Sequence, residues 1–125
     1  MNVGNRAGGY AYARVPIARV VTQLQALAER EYAEVGQKDL DALNVDWARY
    51  RELDAAGKIA TFIARRDRVI VGYAVFVVQT HIHYRNALVA ANSAVYVAPE
   101  ARAGRVVLKL LRYAEIGLKI GRAHV

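Results

Sequence analysis

The stretch from Ala94 to Leu111, AVYVAPEARAGRVVLKLL, limits what this chain can become more than any other part of it. It reads as a buried strand, a turn marked by Pro99 and the start of a basic amphipathic helix. A strand that runs straight into a helix N-terminus makes a place for anions. The free N–H groups of the first turn point outward, and the helix dipole adds partial positive charge. With a helix beginning at about Ala101, the cations Arg102, Arg105 and Lys109 fall on one side of it. That pattern suits a phosphate-bearing ligand. It also suits a solvated helix face, since a charged stripe opposite an apolar one is usual for a surface helix.

The 125 residues predict one domain, 1–125, with residues 1–9 as a flexible or extended arm ending at Gly8-Gly9. A hydrophobic content of 55% with 23% charged residues fits a folded chain. Without cysteine there is neither a disulfide framework nor a thiolate zinc site. No apolar run approaches the roughly 20 residues of a membrane span, and the N-terminus lacks the apolar core of a signal peptide. These features predict a soluble, cytoplasmic protein with no membrane partner. The net charge of +7 is unevenly spread: a basic excess at the two ends flanks an acidic segment over 31–58. Such ends would suit nucleic acid or a polyphosphate cofactor. The tyrosines are not interleaved with the cations, which weakens the case for stacking on single strands.

Along the chain, Tyr10 to Val15 reads as a short edge strand. Pro16 suits the first turn of a helix, and Val20, Val21, Leu24, Leu27 and Ala28 recur at helical spacing up to about Val35, with Gly36 as the stop. A polar connection, 37–44, precedes a helix from Trp47 to Ala56, capped by Asp46 and closed by Gly57. Trp47, Tyr50 and Leu53, with Leu43, make its packing face. Ile59 to Arg65 and Val69 to Thr80 form a hairpin around Arg66-Asp67-Arg68, with Gly72 as a bulge signal. Leu88 to Val97 is a further strand. The last helix is predicted over Ala101 to Leu118, with Val107, Leu110, Leu111, Ala114 and Leu118 as its apolar stripe, and Arg122 to Val125 begins something extended. The class is α+β (mixed α/β): an antiparallel central meander, two N-terminal helices and one C-terminal helix.

In this order of elements the chain resembles the GNAT superfamily of N-acetyltransferases, of the small phage and bacterial type. The residues that carry the likeness are Tyr32-Ala-Glu-Val35, Ile70-Val-Gly-Tyr-Ala-Val75, Val95-Tyr-Val-Ala-Pro-Glu-Ala-Arg102 and Leu110-Leu-Arg-Tyr-Ala-Glu115. The acyl-CoA motif of that family is Gln/Arg-x-x-Gly-x-Gly/Ala, followed by a Leu pair. With Arg102 at its first position, Leu110 and Leu111 meet the Leu pair, and Arg105 and Val107 stand where the glycines belong. The alternative register places Gly104 on the first glycine and moves the pair onto Lys109.

The resemblance implies acetyl-CoA as co-substrate, with Val95, Tyr96, Val97, Arg102, Ala103, Gly104, Arg105, Val106 and Val107 as the cofactor-binding residues. It implies transfer to a small-molecule or protein amine, or else a catalytically impaired relative that acts by self-association or protein binding. Glu34 is the candidate base, with a solvated helix-end carboxylate as its other reading. Tyr50, His83 and Tyr84 are candidate acceptor contacts, and Tyr50 could equally be packing. His81 and His83 at i, i+2 lack the further ligand that a metal needs, so no metal is expected. Family members usually continue with further strands. An unpaired edge on Leu88 to Val97 then predicts a homo-oligomer by strand pairing or helix exchange.

Overall fold

The run Val69–Thr80 is buried through most of its length, so a strand there has to be covered on both faces. In the computed structural model, which describes residues 6–7, 9–35, 45–121 and 123–124, it is the fourth of six strands that lie in chain order. These are β1 (Arg6–Ala7), β2 (Tyr10–Val15), β3 (Ile59–Arg66), β4 (Val69–Thr80), β5 (Leu88–Val97) and β6 (Ala123–His124). Neighbours pair antiparallel except β5 and β6, which are parallel at Leu88–Ala123 and Val89–His124. The outer edge of β5 is thus covered at its first two residues. From Ala90 onward it has no strand partner among the described residues. Among those residues no helix is long and apolar enough to cross a membrane.

Helices α1 (Val21–Val35) and α2 (Trp47–Ala55) cover one face. There Leu24 and Leu27 pack with Ile59, Ile63, Tyr73, Val75 and Tyr96, and Trp47, Tyr50 and Leu53 lie against the same cluster. Helix α3 (Val106–Ile120) covers the other face, with Val106, Leu110, Ala114 and Leu118 set on Phe62, Ala74 and Phe76. Strand alternation accounts for this division, since Tyr73 and Val75 point one way and Ala74 and Phe76 the other. The expected stripe of α3 is confirmed, with Val107 and Leu111 at its half-buried margin.

The expected caps hold in part. Asp46 accepts from the Arg49 N–H at 2.9 Å, and the helix it caps ends at Ala55. Asp54, at the far end of α2, accepts from the Ile17 N–H at 2.8 Å, which ties α2 to a short 3₁₀ turn, Ile17–Arg19. The helix expected from Ile17 therefore opens as 3₁₀ and becomes α-helical at Val21. The arm expected over 1–9 contains β1, which folds back on β2 through Gly9 at φ 85°. The stop at Gly36 and the connection 37–44, with Leu43, lie outside the described residues.

Two bulges interrupt the sheet. Ala64 pairs with Gly72 and Arg65 with Ile70, so Val71 is the extra residue, next to the glycine that signals it. Gly72 has a second duty. A Cβ there would stand 2.8 Å from Val97 Cγ2 and 3.1 Å from the Tyr96 carbonyl oxygen. The other bulge is on β5, where Val75 pairs with Ala94 and Phe76 with Asn92, leaving Ser93 out of the ladder.

The last helix begins later than its spacing predicts. Pro99–Gly104 form a 3₁₀ turn, and α3 starts only at Val106. Between them Arg105 sits at φ 58°, ψ 29°, the left-handed region that favours glycine. Helical spacing therefore does not reach back to Arg102, and the three cations do not share a helix side. Two outcomes test this backbone reading by urea unfolding. Gly72→Ala loses roughly 1–3 kcal/mol, because its new methyl overpacks against Val97. Arg105→Gly gains about 0.5–1 kcal/mol, the left-handed strain less the flexibility glycine adds to the unfolded chain.

Candidate functional site

The strand-turn-helix segment is fastened to α1 by two ion pairs. Glu34, near the end of α1, accepts from Arg102 Nη1 at 2.6 Å, from Arg102 Nη2 at 3.1 Å and from the Tyr96 hydroxyl at 2.8 Å. Arg102 also donates its Nε–H to the Val97 carbonyl at 2.9 Å, and its guanidinium lies 5.5 Å from the Tyr96 ring centre. One turn earlier on α1, Arg30 grips both oxygens of Glu100 at 2.7 and 3.0 Å. The fork of an arginine matches a carboxylate in two parallel bonds, which sets direction as well as attraction.

These contacts fix the charges. The Arg102 bonds, then the Tyr96 hydroxyl, hold the Glu34 carboxyl below the usual range. Arg30 holds Glu100 at about 2. Burial, then the Glu34 hydrogen bond, pushes Tyr96 up. A carboxylate held low is a poor proton acceptor, so the sequence candidate Glu34 stands in a setting that suits positioning better than base chemistry.

The other candidate cofactor residues divide between backbone and core. Val97 and Val106 are buried, and Val95 and Val107 are half-buried against the α3 cluster. Ala103 and Gly104 are exposed on the 3₁₀ turn. No side chain caps α3, and its first backbone bond runs from the Lys109 N–H to the Arg105 carbonyl. The N–H groups of Val106, Val107 and Leu108 thus lack intrahelical acceptors. Arg105 and Lys109 turn away from Arg102 and line, with Tyr12, Arg112 and Tyr113, a separate hollow beside α3.

Beside Glu34, between the two N-terminal helices and the sheet, lies a cavity of about 320 Å³. Helix α1 contributes Leu24, Glu31 and Tyr32, α2 contributes Trp47 and Tyr50, β4 contributes Tyr73 and Val75, and β5 contributes Ala94. Trp47 and Tyr50 have ring centres 5.7 Å apart. The Tyr50 hydroxyl lies 3.2 Å from Ser93 Oγ, at the bulge. Tyr50 therefore both packs and lines the cavity. Burial raises the Tyr73 hydroxyl strongly. Burial, then the charge of Glu34, raises the Glu31 carboxyl.

His83 and Tyr84 are not among the residues that line this cavity. They lie in the exposed turn that joins β4 to β5, where the His83 N–H donates to His81 Nδ1 at 3.0 Å and the His81 ring lies tilted against Tyr84, with ring centres 5.0 Å apart. Among the described residues no group of three or more His, Cys, Asp or Glu could hold a metal. Sequence reasoning missed Glu31, Tyr73 and Ser93. Glu31 precedes Glu34 by three residues and so shares its helix face, but that spacing alone does not set it apart from any other helix carboxylate.

No family model matches the sequence, and no curated protein matches it. Solved structures do. A predicted acetyltransferase from Clostridium acetobutylicum, solved with acetyl-CoA, is 13% identical with a TM-score of 0.69, over 92% of this chain and 77% of that one. An aminoglycoside acetyltransferase from an uncultured soil metagenomic sample, solved with sisomicin, is 15% identical with a TM-score of 0.73, over 93% and 74%. A ribosomal-protein-alanine N-acetyltransferase from Brucella melitensis biovar Abortus is 16% identical with a TM-score of 0.72, over 93% and 77%. At such identities the likeness is one of architecture, and the chain has the fold of the GNAT acetyltransferases.

Proposed function

We propose that this protein is an acetyl-CoA-dependent N-acetyltransferase acting on an amine. The observation that carries the reading is the Ser93 bulge. It breaks the β4–β5 ladder beside an aromatic cavity, on a strand whose outer edge is free of a strand partner among the described residues from Ala90 onward. Acetyl-CoA in one structure of this fold and an aminoglycoside in another support the two ligand classes. The residues present fit the co-substrate. The uncapped N–H groups of Val106 to Leu108 would hold its phosphates, and the backbone from Ala94 to Val97 would pair with its amide arm. The left-handed backbone at Arg105 supports the register that puts the motif's first glycine at that position.

Acetyl-CoA supplies an acetyl group activated as a thioester. The balanced reaction takes an ammonium and acetyl-CoA to an N-acetyl amine, free CoA thiol and a proton. The chain's own part is to hold the amine in the cavity that opens at the Ser93 bulge and to exclude water with Trp47 and Tyr73, while the proton that leaves the ammonium passes to solvent. Glu34 is a positioning residue: it sets Arg102 and Tyr96, and through them the turn that opens α3. A second reading, a non-catalytic protein of this fold, is favoured by the side chains of Arg105 and Val107, which narrow the approach to the backbone.

Two measurements decide. Calorimetric titration with CoA gives saturable heat on the first reading, and no heat or melting shift at millimolar CoA overturns it. A thiol-release assay over a panel of amines then separates the readings, because CoA binding without release supports the second. The positioning role of Glu34 predicts a pH signature. Its folded pKa lies below its unfolded value near 4.3. Its pairing therefore stabilises the fold above that pH, and the contribution is lost as pH falls through the folded value. Glu34→Gln melts lower than wild type at pH 7, and the gap closes towards pH 3. Identical melts at pH 7 would contradict the role.

A further inference from the structure

We propose that the acceptor is a compact primary amine carrying one positive charge on an apolar body, with its ammonium at Glu31 and its body against Trp47, Tyr50 and Tyr73. This rests on the acetyltransferase reading and narrows it to a substrate class.

Glu31 is the one carboxylate among the described residues that line the cavity, and it is half-buried there. It makes no hydrogen bond or ion pair with any described residue. Among the described residues, Arg30 and Arg102 are engaged elsewhere, Arg30 by Glu100 and Arg102 by Glu34. A partly desolvated carboxylate without a partner is unfavourable, and an incoming cation relieves it. The charge of Glu34, one helical turn away, adds to the negative potential and so favours a cation further.

The walls set the rest of the ligand. Aromatic faces attract ammonium groups and also bury apolar carbon. Here Trp47, Tyr50 and Tyr73 supply such faces, and Leu24, Val75 and Ala94 complete an apolar lining. A volume of about 320 Å³ lies at the small end of ligand sites. A polyamine or aminoglycoside would bring further ammonium groups to walls that offer them no carboxylate among the described residues, and each would lose its hydration without compensation. The cavity also reaches the bulge, through Ala94 and the Tyr50–Ser93 contact.

Trp47 is the chain's single tryptophan, so its fluorescence reports occupancy without any acetyl donor. 2-Phenylethylamine is expected to give a saturable change. The neutral 2-phenylethanol and the polycation spermine are expected to bind at least tenfold more weakly. Glu31→Gln weakens 2-phenylethylamine at least tenfold while melting at or above the wild-type temperature, since it removes a half-buried charge that has no partner among the described residues. Glu29→Gln, on the exposed side of the same helix, leaves binding unchanged. No saturable change at millimolar amine, equal binding of the alcohol or of spermine, or unaltered affinity in Glu31→Gln would overturn the proposal. The two failures are distinguishable. Amine binding through Glu31 without thiol release removes the acetyl-transfer reading and the acceptor role with it, and leaves a cation site at Glu31. Thiol release with spermine but not with 2-phenylethylamine removes this one alone.

Discussion

A strand apolar on both faces has to be covered twice, and β4 imposes that demand on the rest of the chain. Its odd positions, Tyr73 and Val75, require α1 and α2, and its even positions, Ala74 and Phe76, require α3. The chain must then cross from one layer to the other after β5, and it does so over the short turn from Pro99 to Gly104. The backbone reversal at Arg105 completes that crossing. Gly72 belongs to the same constraint, because β4 and β5 approach too closely at Val97 for a side chain on both strands.

Charge does what apolar packing cannot at this crossing. The 3₁₀ turn is largely exposed, and its buried anchor is Ala101 alone. Arg30 with Glu100 and Arg102 with Glu34 supply direction where there is little area to bury. Exposed pairs contribute little stability singly. These two converge from one helix on one turn, and Tyr96 joins the second of them. The same pairing engages Arg30 and Arg102 and so keeps both from Glu31. The charge of the cavity and the shape of the loop therefore have a common origin.

Much of the fold was legible in the sequence, and the reason is periodicity. Tyr10–Val15, Val69–Thr80 and Leu88–Val97 stand where apolar and β-branched runs placed them, and Asp46 caps as a helix-starting aspartate should. The start of α3 was displaced because Ala101 to Gly104 can continue a helical pattern without being α-helical, and arginine gives no hint of a left-handed backbone. The bulge left no trace, since one extra serine in Ala-Asn-Ser-Ala looks like any polar strand residue. The cavity depends on α1, α2, β4 and β5 meeting in space. Glu34 could be picked out from a local motif, whereas Glu31 acquires its meaning only from what surrounds it.

The order of the sheet has a kinetic side. Strands β3 and β4 meet across Asp67-Arg68, and β4 and β5 across residues 81–87, so both ladders close over short loops at small entropic expense. The pairing of β5 with β6 instead waits for α3 to pass over the far face. The strands that carry Tyr73, Val75, Ser93 and Ala94 thus belong to the most locally connected part of the chain. One wall of the cavity can form before the helices that complete it have docked.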